Sequence, residues 1–150
     1  MQVKELGHLV LYVRDLERSA AFYRDVLGWA PAFGDVPGSP VAAFSSGRTH
    51  HELLLIEVGD GAASPPRGRR TGLYHVGLKV GDTDEELREA LARVQEAGVT
   101  VLGASDHTVT HSLYILDPDG NEIELYIDVQ GVDWRVEPSL VMAPVKPLAL

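Results

Sequence analysis

An α+β protein built from two tandem strand–helix–strand modules is predicted by three observations. The segments Gly-His-Leu-Val-Leu-Tyr-Val (residues 7–13) and Tyr-His-Val-Gly-Leu-Lys-Val (residues 74–80) both read as strands, and each runs into a helix start. Their histidines, His8 and His75, stand 67 residues apart in matching contexts, which marks an internal duplication. A third run, from Leu113 to Glu124, sets an Asp-Pro-Asp-Gly turn between two strand-like stretches and predicts a β-hairpin.

The elements follow in order. After the first strand, Asp15 is the expected N-cap of a helix whose apolar stripe is Leu16, Ala20, Tyr23, Val26 and Leu27, and Gly28 stops it. Strand candidates follow at about 40–46 and 51–58. Residues 59–72, rich in Pro, Gly and Arg, read as an exposed linker, and Arg67, Arg69 and Arg70 are most simply solvated there. After the second histidine strand, Thr83 and Glu86 form a capping box for a helix striped by Leu87, Ala90, Leu91, Val94 and Ala97, ended by Gly98. Further strands are expected at 99–104, 111–116 and 122–129. The Pro-containing tail from Gln130 is expected to be extended.

Strand parity divides chemistry from core. Leu9, Leu11 and Val13 share one face while His8, Val10 and Tyr12 share the other. Val76, Leu78 and Val80 likewise oppose His75, Gly77 and Lys79, and Ile123, Leu125 and Ile127 oppose Glu124 and Tyr126. One face of each strand is aliphatic, fit to lie under a helix; the other carries the polar candidates.

Composition narrows the function. The net charge of −9 argues against nucleic acid or an anionic membrane as partner. No apolar run reaches membrane-spanning length and no secretory pattern opens the chain, so a cytoplasmic location is expected. With no cysteine, a metal site would draw on His and carboxylate. A lone strand histidine is usually structural, but His8 and His75 share a duplicated context and a polar face. With Glu124 they make a two-His-one-carboxylate set, suited to non-haem Fe(II) with open positions for substrate and O2.

On these residues the chain resembles the vicinal oxygen chelate superfamily of glyoxalase I, bleomycin-resistance proteins and type I extradiol dioxygenases. The resemblance covers about residues 5–129. It implies two βαβββ modules forming a half-open mixed β barrel around a central metal cavity, with the helices outside. Module one would span about 5–58, the linker 59–72 and module two 73–129, leaving the tail at 130–150. Within the superfamily, His107, Leu113-Tyr114, Asp117-Pro118, Gly120 and Glu124 are spaced as in the extradiol signature, with Ser105 departing from the residue types it takes there. His50-His51-Glu52-Leu53 is similar to the strand that carries the family's acid/base histidine.

The resemblance therefore implies an extradiol ring-cleaving dioxygenase. His8, His75 and Glu124 would bind Fe(II), a site that Mn(II) also fits. His51 would handle protons, Tyr114 would contact substrate or oxygen, and His107 would support the site from behind. The partners would be a small aromatic substrate of the catechol type and O2, with a homodimer the common assembly. The competing enzyme reading is a glyoxalase-like lyase or isomerase using Ni(II) or Zn(II), with a fourth ligand, a Glu, from the strand of Glu52. His51 and Glu52 alternate on a regular strand, so one of them would face the metal. A metal-free binding or resistance module is the third reading. Trp29, Phe33 and Phe44 are candidates for substrate selectivity, although aromatic residues often pack in cores.

Overall fold

The computed structural model describes every residue except Asp35, Arg67 and Arg70, so two members of the arginine cluster lie outside the described residues. The chain divides into two compact units, Met1–Pro65 and Pro66–Leu150. The α+β class expected from the sequence is observed, with one sheet in each unit.

In the first unit, β1 (Leu9–Val13) pairs in parallel with β3 (Leu53–Glu57), and β2 (Val41–Phe44) pairs antiparallel with β3. Between β1 and β2 lies α1 (Leu16–Ala21), which runs on through a π-helical turn at Phe22–Val26. Asp15 caps this helix as expected, its carboxylate accepting from the Arg18 N–H at 2.9 Å, and Gly28 ends it with φ of 71°. A single bridge follows the helix. Ala32 N–H donates to Ala43 and Ser45 N–H to Ala30, but only Pro31 forms a bridge, opposite Phe44. Proline has no N–H for a ladder, which keeps this pairing short.

The second unit repeats the plan with longer strands. β4 (His75–Gly81) pairs in parallel with β7 (Glu122–Asp128), then β6 (Thr110–Leu116) and β5 (Val101–Asp106) follow antiparallel. The helix α2 (Asp84–Glu96) connects β4 to β5. Thr83 Oγ1 accepts from the Glu86 N–H at 3.3 Å, and Glu86 reaches back to the Asp82 N–H at 2.8 Å. The tail does more than extend: Pro138–Met142 forms a 3-10 turn, and β8 (Lys146–Pro147) joins the sheet beside β5. Among the described residues no helix is long and apolar enough to cross a membrane.

The expected parity is realised in β1 and β7, whereas in β4 Val76 and Leu78 are only half-buried and Val80 is exposed. Leu11 and Val13 are buried while Val10 and Tyr12 are exposed. In the second unit Leu113, Ile115, Ile123, Leu125 and Ile127 form the core with Leu87 and Val94 of α2. Phe44 packs in the core of the first unit, its ring 6.0 Å from Tyr23 and 6.4 Å from Trp29, so two of the three aromatic selectivity candidates serve packing. Phe33 is exposed. Because Leu125 is 1% exposed at the middle of β7, Leu125→Ala should cost about 2–5 kcal/mol, read from denaturant midpoints at unchanged slope.

Candidate functional site

The polar face of the second unit is built by three neighbouring strands. Parallel pairing sets His75 opposite Glu122 and Gly77 opposite Glu124, while antiparallel pairing sets Tyr114 opposite Glu124. Strand alternation then directs His75, Glu122, Glu124 and Tyr114 to one side of the sheet. His75 Nε2 lies 3.2 Å from Glu124 Oε2. Tyr114 donates its phenol proton to Glu124 Oε1 at 3.1 Å, and His107 Nε2 lies 2.7 Å from the same phenol oxygen.

These contacts form a chain of four groups, His107, Tyr114, Glu124 and His75. Burial first, and the charge of Glu124 second, push the Tyr114 phenol above its ordinary pKa, so it stays a hydrogen-bond donor. Gly77 lies beside the carboxylate: a Cβ there would meet Glu124 Oε2 at 3.4 Å, in van der Waals contact. His107 hangs from the β5–β6 turn, where Thr108 takes a positive φ of 70° and the Asp106 carboxylate accepts its N–H at 2.6 Å.

The donor set suits a cation. One imidazole nitrogen and one carboxylate oxygen 3.2 Å apart match two neighbouring donors on an ion with bonds of about 2.1 Å, which stand about 3 Å apart. The ring's other nitrogen, His75 Nδ1, is buried and has no hydrogen bond among the described residues. Among those residues no group of three or more His, Asp or Glu side chains gathers to hold a metal ion. What the second unit brings together is one imidazole and one carboxylate.

In the first unit, His8 immediately precedes β1 and is exposed. Its ring centroid is 4.6 Å from that of His51 and 6.3 Å from that of His50. His50 Nδ1 and His51 Nδ1 are 2.6 Å apart, a distance that calls for one shared proton. Partial burial, then the neighbouring His50 and His8, lower the pKa of His51 and favour its neutral form. Both His51 and Glu52 lie before β3 begins at Leu53, so regular alternation does not decide which faces where. The contacts do. The Glu52 carboxylate is engaged by the Ser46 N–H and by Arg48 Nε at 2.9 Å, while His51 packs beside His8.

Sequence reasoning passed over three groups. Glu122 lies 3.4 Å from His75 Nδ1, and its position two residues before Glu124, on the same strand face, was the available signal. Tyr74 stacks at 4.6 Å from His75 and is held protonated chiefly by Glu122. Ser112 is fully buried on the polar face, with its hydroxyl unpartnered among the described residues. His111 instead faces the helix, its Nδ1 2.6 Å from Asp84 of α2, and ties β6 to that helix. Lys79, which shares the ligand parity, is taken up by Asp128 at 2.8 Å and by Asp82.

The family model described as the Glyoxalase/Bleomycin resistance protein/Dioxygenase superfamily matches residues 5–125. Catechol-2,3-dioxygenase of Bacillus subtilis (strain 168) is 37% identical over 130 residues, 87% of this chain and 44% of that protein. The chain thus spans less than half the length of that relative. Glutathione transferase FosA of Serratia marcescens is 28% identical over 83% of this chain and 82% of its own length. Among solved structures, lactoylglutathione lyase from Agrobacterium tumefaciens is similar with a TM-score of 0.61 at 28% identity, covering 85% of this chain and 96% of that one.

Proposed function

The chain belongs to the Glyoxalase/Bleomycin resistance protein/Dioxygenase superfamily, and from that membership we propose that it is an Fe(II)-dependent extradiol dioxygenase acting on a catechol-type aromatic. The observation that carries this reading is the hydrogen-bonded series His107–Tyr114–Glu124 beside His75. It sets a protonated phenol at the carboxylate that would hold the metal. The 37% identity to a catechol-2,3-dioxygenase supports the same choice.

His8, His75 and Glu124 would hold the metal. When bound, Fe(II) in such a set supplies open positions for the two catechol oxygens and for O2, and lets electron density pass from ring to oxygen. The residues supply the proton control. Neutral His51 accepts a catechol hydroxyl proton and later returns it to oxygen. The Tyr114 phenol, whose one proton lies toward Glu124 here, would turn it to negative charge developing on oxygen, and His107, 2.7 Å from the phenol oxygen, would steady it. Cleavage beside the two hydroxyls would incorporate both oxygen atoms.

A second reading is a glyoxalase-like lyase or isomerase using Ni(II) or Zn(II), favoured by the likeness to lactoylglutathione lyase. That chemistry would call on a fourth ligand from Glu52, whose carboxylate is already held by Ser46 and Arg48. The duplicated register supports the same choice. Leu9 pairs with Leu53 as Val76 pairs with Ile123, which makes Leu54 the counterpart of Glu124.

The test is oxygen uptake by protein loaded anaerobically with Fe(II) and offered a panel of substituted catechols. Uptake with a new yellow chromophore is expected. No uptake, joined by isomerisation of a hemithioacetal when Ni(II) replaces iron, would overturn this reading in favour of the second.

A further inference from the structure

We propose that Glu122 is a positioning residue for His75: its carboxylate accepts the hydrogen bond from Nδ1–H and so leaves Nε2, beside Glu124, with its lone pair free. This rests on reading His75 and Glu124 as metal ligands. The parallel register sets Glu122 directly opposite His75. Its Oε1 lies 3.4 Å from Nδ1, and Glu124 Oε2 lies 3.2 Å from Nε2. One ring is therefore bracketed by a carboxylate at each nitrogen.

A neutral imidazole carries one N–H, and its two tautomers have opposite consequences here. With the proton on Nε2, the ring donates to Glu124 and has no Nε2 lone pair for a cation shared with that carboxylate. With the proton on Nδ1, the ring donates to Glu122, and Nε2 and Glu124 present two lone pairs on one side. Nδ1 is buried, so water does not offer it another acceptor. Among the described residues it has no hydrogen bond, and a small rotation of either side chain would close the gap to Glu122. Outer carboxylates of this kind raise ligand basicity and fix ring orientation.

The first unit supplies a contrast. Extending the duplicated register by one residue makes Glu52 the counterpart of Glu122 and His8 that of His75. Glu52 is drawn into its own loop by Ser46 and Arg48. Glu122 instead stays beside the site, where its neighbours are His75 and the hydrogen-bonded phenol of Tyr74, which it holds protonated. Tyr74 would steady the carboxylate without neutralising it.

Two measurements test this, and the first needs no metal. Long-range proton–nitrogen correlation spectra of the metal-free protein, recorded at a pH where the spectra themselves show the ring neutral, report the tautomer of His75; His75→Gln assigns its signals. The wild type should show Nδ1–H. Glu122→Ala should shift the ring to Nε2–H, and Glu122→Gln, which keeps an acceptor oxygen, should restore Nδ1–H. In the second measurement, Mn(II) titration followed by electron paramagnetic resonance, Glu122→Ala should bind about 10–100-fold more weakly and Glu122→Gln should recover most of that loss. An Nε2–H ring in the wild type, or a tautomer unmoved by Glu122→Ala, would overturn the proposal. A tautomer that switches as expected in a protein that binds no Mn(II) would sustain the role of Glu122 and sink the metal reading instead.

Discussion

Replacing His75 or Glu124 with alanine is expected to abolish stoichiometric Fe(II) binding, with affinity falling by more than about a hundredfold and turnover lost with it. The bound is set by what outer-shell partners alone are worth, about 10–100-fold; a ligand removed from a three-ligand set should exceed it. The two substitutions act on the same pair, since Nε2 and Oε2 are 3.2 Å apart, so the double variant should be little worse than either single one. His8→Ala should match them. Iron content measured on anaerobically loaded, desalted protein reads all three. Full occupancy in the three variants would remove the ligand assignment; full occupancy in His8→Ala alone would leave the pair and reassign the third ligand. Folding is checked in parallel by thermal unfolding. Both second-unit residues are on the polar face, not in the aliphatic core.

The second large effect is expected at His51. His51→Ala should retain iron and lose about 10²–10⁴ in turnover, the usual worth of general acid–base help. The structure supports this separation in two ways. The ring lies beside His8, at 4.6 Å between centroids, and its proton affinity is lowered by partial burial and by the two neighbouring imidazoles. A neutral base is what accepting a catechol proton needs. Glu52→Ala supplies the contrast, because its carboxylate is engaged in the loop with Ser46 and Arg48. Under the dioxygenase reading Glu52→Ala keeps its iron and most of its rate. Loss of metal in Glu52→Ala, with His51→Ala still active, would point to the four-ligand isomerase chemistry.

The α+β class and the duplication were legible because they are written in periodicity. His8-Leu-Val-Leu-Tyr-Val and His75-Val-Gly-Leu-Lys-Val alternate with period two, and Asp15, Thr83, Gly28 and Gly98 punctuate the helices that follow. Features set by tertiary context were not legible. The two-residue strand β8 has no periodicity of its own and exists because β5 offers an open edge. Strand alternation cannot separate His51 from Glu52, because β3 begins only at Leu53; what distinguishes them is the engagement of Glu52 by Arg48. The grouping of His107, Tyr114, Glu124 and His75 was readable one residue at a time from motif spacing. What spacing could not show was that Tyr114 donates to Glu124, or that Glu122 sits at the far nitrogen of His75. The first follows from the antiparallel register of β6 with β7; the second follows from the parallel pairing of β4 with β7, which joins distant segments in a register no local pattern specifies.

The most direct test of the dioxygenase assignment is mass spectrometry of the product formed from a catechol by the Fe(II)-loaded protein under isotopically labelled O2. The expected result is a ring-opened product carrying both labelled oxygen atoms. A product without label, or formation of the same product in the absence of O2, would contradict it.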